Sequence, residues 1–535
     1  EGKVVGLLTR RAVDRALAHK LNLPAASLME AGEISVHPDD SIEHLQRVMI
    51  SSGWGQIPVV EPKSGRVIGI ATRTDLLKTL AGESAALPGK LNLAEKLDAA
   101  LPPARLALLK EIAAQARDLR MAIYVVGGFA RDLILERPSL DFDVVVEGDA
   151  ITLAKALAKA CGGRIVAHGR FGTAKWWTEE LRQTLAERLQ PGAGLNPADL
   201  PDSLDLISAR TEFYDYPTAL PVVERSSIKL DLHRRDFTIN TMATRLDGRH
   251  YGDLHDYWGG LNDLKKGLVR VLHSLSFVDD PTRMLRAVRF EQRFGFSIEG
   301  RTLELMADAH PLVKQLSGDR LRHELDLILG EPKALDMLNR LQALRLLEAI
   351  HPQLNWDAAQ LPAMKAVLFE RIDTDWALPG KVGSLPLRRA LAYLTWFLQL
   401  EPEGAKGAAR LLRLPAQWQD MLSAAFEARN KLPGLVSRPP SEVVKALDGV
   451  PLIGLYALHV TMEDPNPCAL LRRYAVSWRH IQPRTDGEKL RALGITPGPV
   501  YREILGELRR AWLDGDVESV EEEERLLRRL IEKRD

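Results

Sequence analysis

Residues 123–150, IYVVGGFARDLILERPSLDFDVVVEGDA, constrain the fold of this chain more than any other stretch. Their pattern predicts a buried strand, a glycine turn, a helix and a second strand next to two acids. Side chains two positions apart on a strand point to one face, so Asp141 and Asp143 direct two carboxylates at one point. Such oxygen ligands suit Mg²⁺, whose remaining positions are usually filled by water and substrate phosphates. We therefore predict that Asp141 and Asp143 are catalytic and bind Mg²⁺.

The glycine turn predicts a phosphate site beside these acids. Gly127 and Gly128 allow backbone N–H groups to approach a phosphate closely, and Arg131 can add a cation. A phosphate site beside a two-carboxylate metal site is the equipment for nucleotidyl transfer. The stretch resembles the signature of the polymerase-β-like nucleotidyltransferases, in the branch that contains bacterial tRNA nucleotidyltransferases and poly(A) polymerases.

Composition indicates the number of domains, the kind of RNA contact and the cellular compartment to expect. The chain has 535 residues, enough for three or four domains, and its 72 basic and 72 acidic side chains cancel. RNA contacts must therefore come from local basic patches rather than from net charge. Two distant cysteines suit a reducing cytosol, and neither a signal peptide nor a membrane-spanning apolar run is visible. We expect a cytoplasmic protein with no membrane partner, and the opening at Glu1 in mid-pattern suggests the C-terminal part of a longer protein.

The pattern along the chain predicts a multidomain protein. We expect an α/β module over 1–84, an α/β nucleotidyltransferase head over 100–245, a neck over 246–350, and an all-α body and tail over 351–535 that binds tRNA. Beyond about residue 265 the periodicity predicts helices alone.

The first module contains one and a half copies of a repeat. GKVVGLLTRRAVDRALAHKL near the start is echoed by GRVIGIATRTDLLKTL at 65–80, and the arrangement resembles a CBS pair whose first member lacks its front half. The resemblance implies adenine-nucleotide binding by Thr72 and Asp75. In the first copy Thr9 remains, but Ala12 replaces the acid. A nucleotide sensor and a dimerising module both stay open, and a homodimer through this region is expected.

A second motif, RRDFTINTMA at 234–243, resembles RRDFTINALA of the class II tRNA nucleotidyltransferases. Arginine and lysine are the residues expected on a triphosphate, and Arg234 and Arg235 supply two cations. Asp236 and Asn240 are short polar groups suited to a ribose hydroxyl. The resemblance implies that Asp236 helps to select ribose.

Two further motifs follow. DLHDYWGGLNDLKKGLVRVL at 253–272 resembles the family's hinge, in which Gly259 and Gly260 would let the head rotate. DDPTRMLRAVRF at 279–290 predicts a helix, and residues three apart on a helix share a face. Asp280, Arg283 and Arg286 are therefore expected on one side. The family's EDxxR motif implies that Asp280 and Arg283 read the incoming base, while Asp279 replaces the usual glutamate.

A third catalytic acid and a loop are expected between these motifs. The strand SLDLISARTEFY resembles the family's IDxxTARTExY, which makes Asp205 the candidate. Glu212 competes for this role, and Asp205 could equally orient an arginine. The long polar segment over 178–202 resembles in position the flexible loop that accompanies A addition.

One stretch near the C-terminus predicts an RNA contact. LRRYAVSWRHIQPRT interleaves basic and aromatic side chains, which suits phosphate contact and base stacking. The residues are Arg472, Arg473, Tyr474, Trp478 and Arg479. An amphipathic helix whose arginines reach out to water is the alternative.

Together the motifs resemble a tRNA nucleotidyltransferase that builds or repairs the 3′-CCA end. The resemblance implies Mg²⁺-dependent, template-independent transfer of AMP from ATP to the tRNA 3′ end, with release of pyrophosphate. The CBS-bearing layout and the long loop favour A addition over complete CCA addition, which would also need CTP. A poly(A) polymerase, or a CBS-based nucleotide-sensing regulator with an inactive transferase head, are the alternatives.

Overall fold

The computed structural model describes residues 4–9, 12–13, 16–17, 23–31, 34–52, 54–72, 76, 91–137, 142–213 and 222–532. The chain divides into two compact units, Glu1–Gln315 and Leu316–Asp535.

The first unit begins with a small α/β region. Its elements are β1 (Gly6–Leu7), α1 (Ala25–Leu28), β2 (Glu30–Ala31), α2 (Ile42–Ser52), β3 (Gln56–Val60) and β4 (Val67–Thr72). β3 and β4 form an antiparallel hairpin, and Val36 bridges to Val59 in parallel. Trp54 and Ile57 pack in its core. The α/β character predicted for this region is confirmed.

The predicted head follows, built on one large sheet. Its helices are α3 (Ala94–Ala100), α4 (Pro103–Asp118), α5 (Gly128–Ile134), α6 (Ala150–Cys161), α7 (Arg182–Leu189) and α8 (Ile228–His233). Its strands are β5 (Ala122–Val126), β6 (Val144–Glu147), β7 (Arg164–His168), β8 (Thr173–Trp177), β9 (Ser203–Ser208), β10 (Arg210–Phe213), β11 (Val222–Arg225), β12 (Met242–Arg245) and β13 (Leu254–Asp256). Among the described residues, seven of these strands form a sheet in the order β13-β12-β5-β6-β9-β8-β7.

Register and burial give this sheet one covered and one partly open face. β6 and β9 run parallel, whereas β8 pairs antiparallel with both β9 and β7. Trp176 and Leu206 are buried, and α6 packs against β7, β8 and β9. The alternate side chains of β8 and β9, such as Lys175 and Asp205, are only half-buried. Polar groups therefore line the open side, beginning at the start of β6.

The polar segment between β8 and β9 is not a simple loop. It contains α7, whose Leu185 and Ala186 are buried and which packs against α4. The side chain of Arg105 on α4 donates from Nε to the carbonyl of Asp199 at 2.7 Å. The segment is therefore attached to the helices behind the sheet.

The rest of the first unit is mainly helical. Its elements are α9 (Gly260–Lys266), β14 (Leu268–Val269), α10 (Ser276–Asp279), α11 (Arg283–Phe294), β15 (Ser297–Ile298) and α12 (Gly300–Ala309). β14 and β15 form a short parallel pair where the sequence predicted helices alone. Two-residue strands are too short to produce an alternating pattern, so periodicity could not indicate them.

The glycine pair of the expected hinge has two different structural reasons. Gly259 adopts the left-handed conformation, with φ 76°. At Gly260 an added Cβ would lie 2.3 Å from the carbonyl oxygen of Thr238, so close packing excludes any side chain. Asp256 accepts hydrogen bonds from the backbone N–H groups of Gly260 and Leu261, each at 2.9 Å. The turn is thus tightly held, and rotation about it stays a prediction.

The second unit is helical apart from one short strand pair in its described part. Its elements are α13 (Gly318–Leu329), α14 (Ala334–Ala343), α15 (Leu346–Ile350), α16 (Leu361–Phe369), β16 (Lys381–Val382), β17 (Leu385–Pro386), α17 (Leu387–Leu398), α18 (Pro402–Leu411), α19 (Ala416–Leu435), α20 (Pro440–Leu447), α21 (Leu452–Thr461), α22 (Pro465–Val476), α23 (Gly487–Ala492), α24 (Pro499–Asp514) and α25 (Val520–Glu532). Trp376, Tyr393 and Trp396 are fully buried in it. Within the described ranges no single helix could span a membrane by length and hydropathy, although α20 and α21, bent by 113°, meet that test as a pair.

Candidate active site

The predicted metal site lies at the start of β6. Asp143 is exposed and immediately precedes Val144, while Asp141 falls outside the described residues. Val144 pairs with Leu206 on the parallel strand β9, so Asp143 and Asp205 occupy adjacent positions on one face. Carboxylate oxygens that water can reach fit a hard divalent cation such as Mg²⁺. The described residues alone do not group three or more His, Cys, Asp or Glu side chains around a common point.

The two candidates for a third acid are placed differently. Asp205 forms an ion pair with Lys175, with 3.1 Å between Oδ2 and Nζ, and both side chains are partly exposed. Glu212 lies on β10, which pairs with β11 in a separate two-stranded sheet. The register therefore favours Asp205, although its present partner is a lysine.

The glycine turn adjoins an arginine. Gly127 has φ 63°, and its backbone N–H donates to the carbonyl of Met242 at 2.9 Å. A Cβ added at Gly127 would lie 2.6 Å from Nη1 of Arg235. The backbone conformation therefore favours glycine, and any side chain at this position would displace the Arg235 guanidinium.

Arg131 is oriented inward. It is 3% exposed, and its Nη1 donates to Oδ1 of Asn240 at 2.6 Å while its Nε donates to Asp132 at 2.8 Å. Its guanidinium lies 4.4 Å from the ring centroid of Phe294. The predicted phosphate cation thus forms part of a buried network directly behind the glycine turn.

Asp236 continues that network. Its Oδ1 accepts from Nδ2 of Asn240 at 2.9 Å, and its Oδ2 accepts from Nε of Arg286 at 2.9 Å. Burial on its own would raise the pKa of Asp236, but the charge of Arg286 and the hydrogen bonds of Asn240 and Arg286 lower it to about 2. An ionised, fixed acceptor is therefore present at the predicted ribose site.

The predicted base-reading residues are close in sequence but differ in structure. Arg283 is 6% exposed; its Nη1 donates to Oγ of Ser276 at 2.7 Å and its Nη2 to the carbonyl of Arg234 at 2.9 Å. Asp280 is not helical, with φ −145° and ψ 97°, because the residue before a proline avoids the helical region. Its Oδ1 instead accepts from the backbone and hydroxyl of Thr282. The expectation of one helix face shared by Asp280, Arg283 and Arg286 was wrong for Asp280, since α11 begins at Arg283.

Asp231 is a site residue that sequence reasoning missed. It is 0% exposed, its Oδ1 accepts from Nη2 of Arg234 at 2.8 Å, and its Oδ2 accepts from Nη2 of Arg235 at 3.1 Å. Burial on its own raises the pKa of Asp231, but the charges of Arg235 and Arg234 outweigh it and lower the pKa below its usual range. One buried carboxylate therefore orients both arginines predicted to bind triphosphate. The signal was available, because an acid in the last turn of a helix can reach arginines three and four residues further along the chain.

Some of the residues on α22 that were predicted to contact RNA are bonded to other parts of the protein. Arg472 forms ion pairs with Asp373 and Asp375, at 3.2 and 2.8 Å. Tyr474 is 5% exposed and its hydroxyl donates to Asp448 at 3.1 Å, so its ring is not placed to stack on a base. Arg473 is exposed, and Trp478 and Arg479 are half-buried.

The predicted nucleotide contacts of the N-terminal region are only partly described. Oγ1 of Thr9 accepts from the backbone N–H of Ala12 at 3.2 Å, as in a helix start. Thr72 is half-buried at the end of β4, and Asp75 lies outside the described residues.

Comparison with known families matches three parts of the chain. Residues 123–270 match the family described as the poly(A) polymerase head domain. Residues 295–357 match the probable RNA- and SrmB-binding site of polymerase A, and residues 25–82 match the CBS domain.

Similar proteins and structures agree with these matches. The chain is 33% identical to the A-adding tRNA nucleotidyltransferase of Geobacter sulfurreducens, over 99% of this chain but 60% of that protein. It is 32% identical to the A-adding tRNA nucleotidyltransferase of Halalkalibacterium halodurans, over 77% of this chain and 90% of that protein. A CCA-adding enzyme in its apo form II has a TM-score of 0.67 at 31% identity, covering 83% of this chain and 99% of that one. The Thermotoga maritima CCA-adding enzyme complexed with tRNA has a TM-score of 0.63 at 30% identity, with the same coverage.

Replacing the buried Asp231 should loosen both arginines. We expect Asp231→Asn to raise the KM for ATP about tenfold, because the uncharged amide no longer holds the guanidinium groups of Arg234 and Arg235 in place. The KM for RNA should stay nearly constant, which a general loss of folding would not produce. Steady-state kinetics measure both, with Asp118→Asn on the exposed surface of α4 as the matched control; an unchanged KM for ATP would contradict the role.

The low pKa of Asp236 predicts a specific loss of stability in acid. A carboxylate whose folded pKa lies below its unfolded value stabilises the fold above the unfolded pKa, and the contribution disappears as pH falls through the folded pKa. The ordinary pKa of an aspartate is 3.8 and that of Asp236 in the folded protein is about 2, so the window lies between about pH 4 and pH 2. The contribution is on the order of 2 kcal/mol. Urea unfolding of the wild type and Asp236→Asn should show a stability difference that is constant near neutral pH and shrinks across this window; a difference that persists to pH 2 would argue against the assignment.

Proposed function

Because the chain belongs to the tRNA nucleotidyltransferase family, we propose that it transfers AMP from ATP to the 3′ end of tRNA, completing the CCA sequence. The observation that carries this proposal is the grouping of Asp143, Gly127 and the Asp231-held arginines at one end of one sheet. A addition is favoured because several of the relatives similar to this chain are A-adding enzymes. Complete CCA addition is the second candidate, since enzymes of that kind superimpose on most of the chain.

Separate residues are assigned to the metal and to the triphosphate. Mg²⁺ held by Asp141 and Asp143, with Asp205 as the third acid, would neutralise triphosphate charge and acidify the primer hydroxyl. Arg234 and Arg235 bind the triphosphate, and the turn at 127–128 lets the backbone approach it.

Other residues position the sugar and the base. Asp236 accepts a hydrogen bond from a ribose hydroxyl, and Asn240 donates one. Arg131 contributes to this site by orienting Asn240. Asp280 and Arg283, with Arg286 behind them, read the base. The primer 3′ oxygen then bonds to the α-phosphorus while the bond to pyrophosphate breaks, and catalysis is mainly positioning and charge neutralisation.

The remaining parts of the chain are assigned to binding. The helical second unit contacts tRNA, with Arg473, Trp478 and Arg479 as the candidates on and after α22. The N-terminal CBS region pairs two copies of the chain, and the protein works in the cytoplasm, where tRNA is matured.

A single-nucleotide incorporation assay tests the proposal. With Mg²⁺, tRNA transcripts ending in the discriminator base, in C and in CC are offered ATP, CTP or both. We expect labelling of the CC-ended tRNA alone, by ATP alone. CTP incorporation on the shorter ends would favour complete CCA synthesis, long A tails would favour a poly(A) polymerase, and no incorporation would reject the transferase activity.

The metal site can be tested by substitution. Asp143→Ala should abolish incorporation while tRNA binding is retained, because the carboxylate acts on the metal rather than on RNA. Asp205→Asn should reduce kcat by at least about 100-fold if it is the third acid, and only a few-fold if it orients Lys175. Asp118→Ala is the exposed control; activity of Asp143→Ala near the wild-type rate would reject the metal assignment.

A further inference from the structure

The open face of the sheet continues beyond the carboxylates into a patch of cations around a tryptophan. We propose that this patch, the Trp177 strip (Arg164, Lys175 and Trp177), binds the single-stranded 3′ end of the acceptor RNA. The inference rests on the proposed function and deepens it, because it assigns a place to the second substrate.

The strand register connects the strip to the metal site. Val144 on β6 pairs with Leu206 on β9, and Asp143 and Asp205 each come one residue before this pair. Asp205 in turn pairs with Lys175 on β8. Trp177 pairs with Arg164 on β7, in the next row of the same face. With strands about 4.8 Å apart, β7 lies about 14 Å from β6. A stacked strand, at about 3.4 Å per nucleotide, covers that distance in about four nucleotides.

The chemistry of the strip suits single-stranded RNA. The guanidinium of Arg164 lies 5.2 Å and the Nζ of Lys175 lies 5.7 Å from the Trp177 ring centroid. Arg164 is exposed and Trp177 is half-buried, whereas its neighbour Trp176 is fully buried on the other face. An aromatic ring beside cations stacks a base and attracts the adjoining phosphates without depending on sequence.

The position of the strip also fits the two-substrate reaction. In the sheet order, the glycine turn after β5 lies on one side of β6, and β9, β8 and β7 lie on the other. Of the proposed triphosphate cations, Arg235 adjoins the glycine turn, and Arg234 donates to the same carboxylate, Asp231. The Trp177 strip is therefore on the opposite side of the carboxylates, where the attacking hydroxyl must arrive for in-line displacement. The distribution of charge also fits. The carboxylates lie where the metal would meet the 3′-hydroxyl, and the cations lie where the RNA phosphates would follow.

A simpler role for Arg164 is protection of the sheet edge. β7 is an edge strand of the sheet, and charged residues on edge strands prevent pairing with other chains. If Arg164 only protects the edge, its replacement should not change RNA affinity. Binding measurements therefore distinguish edge protection from RNA binding.

The test compares two RNA minihelices that differ only in the single-stranded end. One ends in CC and the other ends at the discriminator base. We expect Trp177→Ala and Arg164→Ala each to raise the Kd of the CC-ended RNA about tenfold and to leave the Kd of the shorter RNA unchanged. Trp177→Phe should recover most of the affinity, and Arg249→Ala, between β12 and β13, is the matched basic control. The KM for ATP should not change.

The outcomes separate this proposal from the activity itself. Binding needs no catalysis, and Arg164 is exposed, so its replacement cannot act through the core. The proposal would be rejected if Arg164→Ala and Trp177→Ala raised the Kd of both RNAs equally, or left both Kd values unchanged. Failure of the wild type to label CC-ended tRNA with ATP would reject the proposed function, whatever the binding data show.

Discussion

Two buried carboxylates, Asp231 and Asp236, orient the arginines of the candidate active site. Asp231 and Asp236 are removed from water, which is unfavourable for a charge unless close cations and hydrogen bonds compensate. Asp231 obtains that compensation from Arg234 and Arg235, and Asp236 obtains it from Arg286 and nearby amide groups. Because the carboxylates are fixed, the arginines are fixed too. The arginines proposed to bind the triphosphate are thus held by the protein itself, which would reduce the ordering that binding must impose.

The sheet supplies the other half of the arrangement. β5 ends at the glycine turn where β6 begins, and β9 runs parallel to β6, so the turn, Asp143 and Asp205 meet at one end. A slip of one residue between β6 and β9 would turn Asp205 to the covered face and bury its charge against α6. The apolar residues on that covered face, such as Leu206 and Trp176, oppose such a slip. Core packing therefore fixes the spacing of the proposed metal ligands.

Much of this could be predicted from the sequence, and the failures have physical causes. The strand–turn–helix–strand order over 123–147 follows from local patterns, as does the presence of a helix after Pro281. Asp280 was misplaced because helical spacing was applied across Pro281. The inward orientation of Arg131, and the burial of Tyr474, depend on partners over 25 residues distant or on other helices, which no local pattern contains. Tertiary contacts decide whether a polar side chain faces water or a partner.

The residues proposed for base recognition and for triphosphate binding are linked through Arg234. The backbone carbonyl of Arg234 accepts from Arg283, the proposed base reader, while the Arg234 side chain is held by Asp231. Arg283 is also bonded to Ser276 on α10, and the neighbouring Leu275 packs against Leu28 of the N-terminal region. If Arg283 reads the base as proposed, its displacement by an ill-fitting base would therefore pull on the backbone that carries Arg234 and Arg235. On the proposed assignment, a few hydrogen bonds would couple selection of the base to alignment of the α-phosphate. A wrong base would then be penalised in the chemical step as well as in binding.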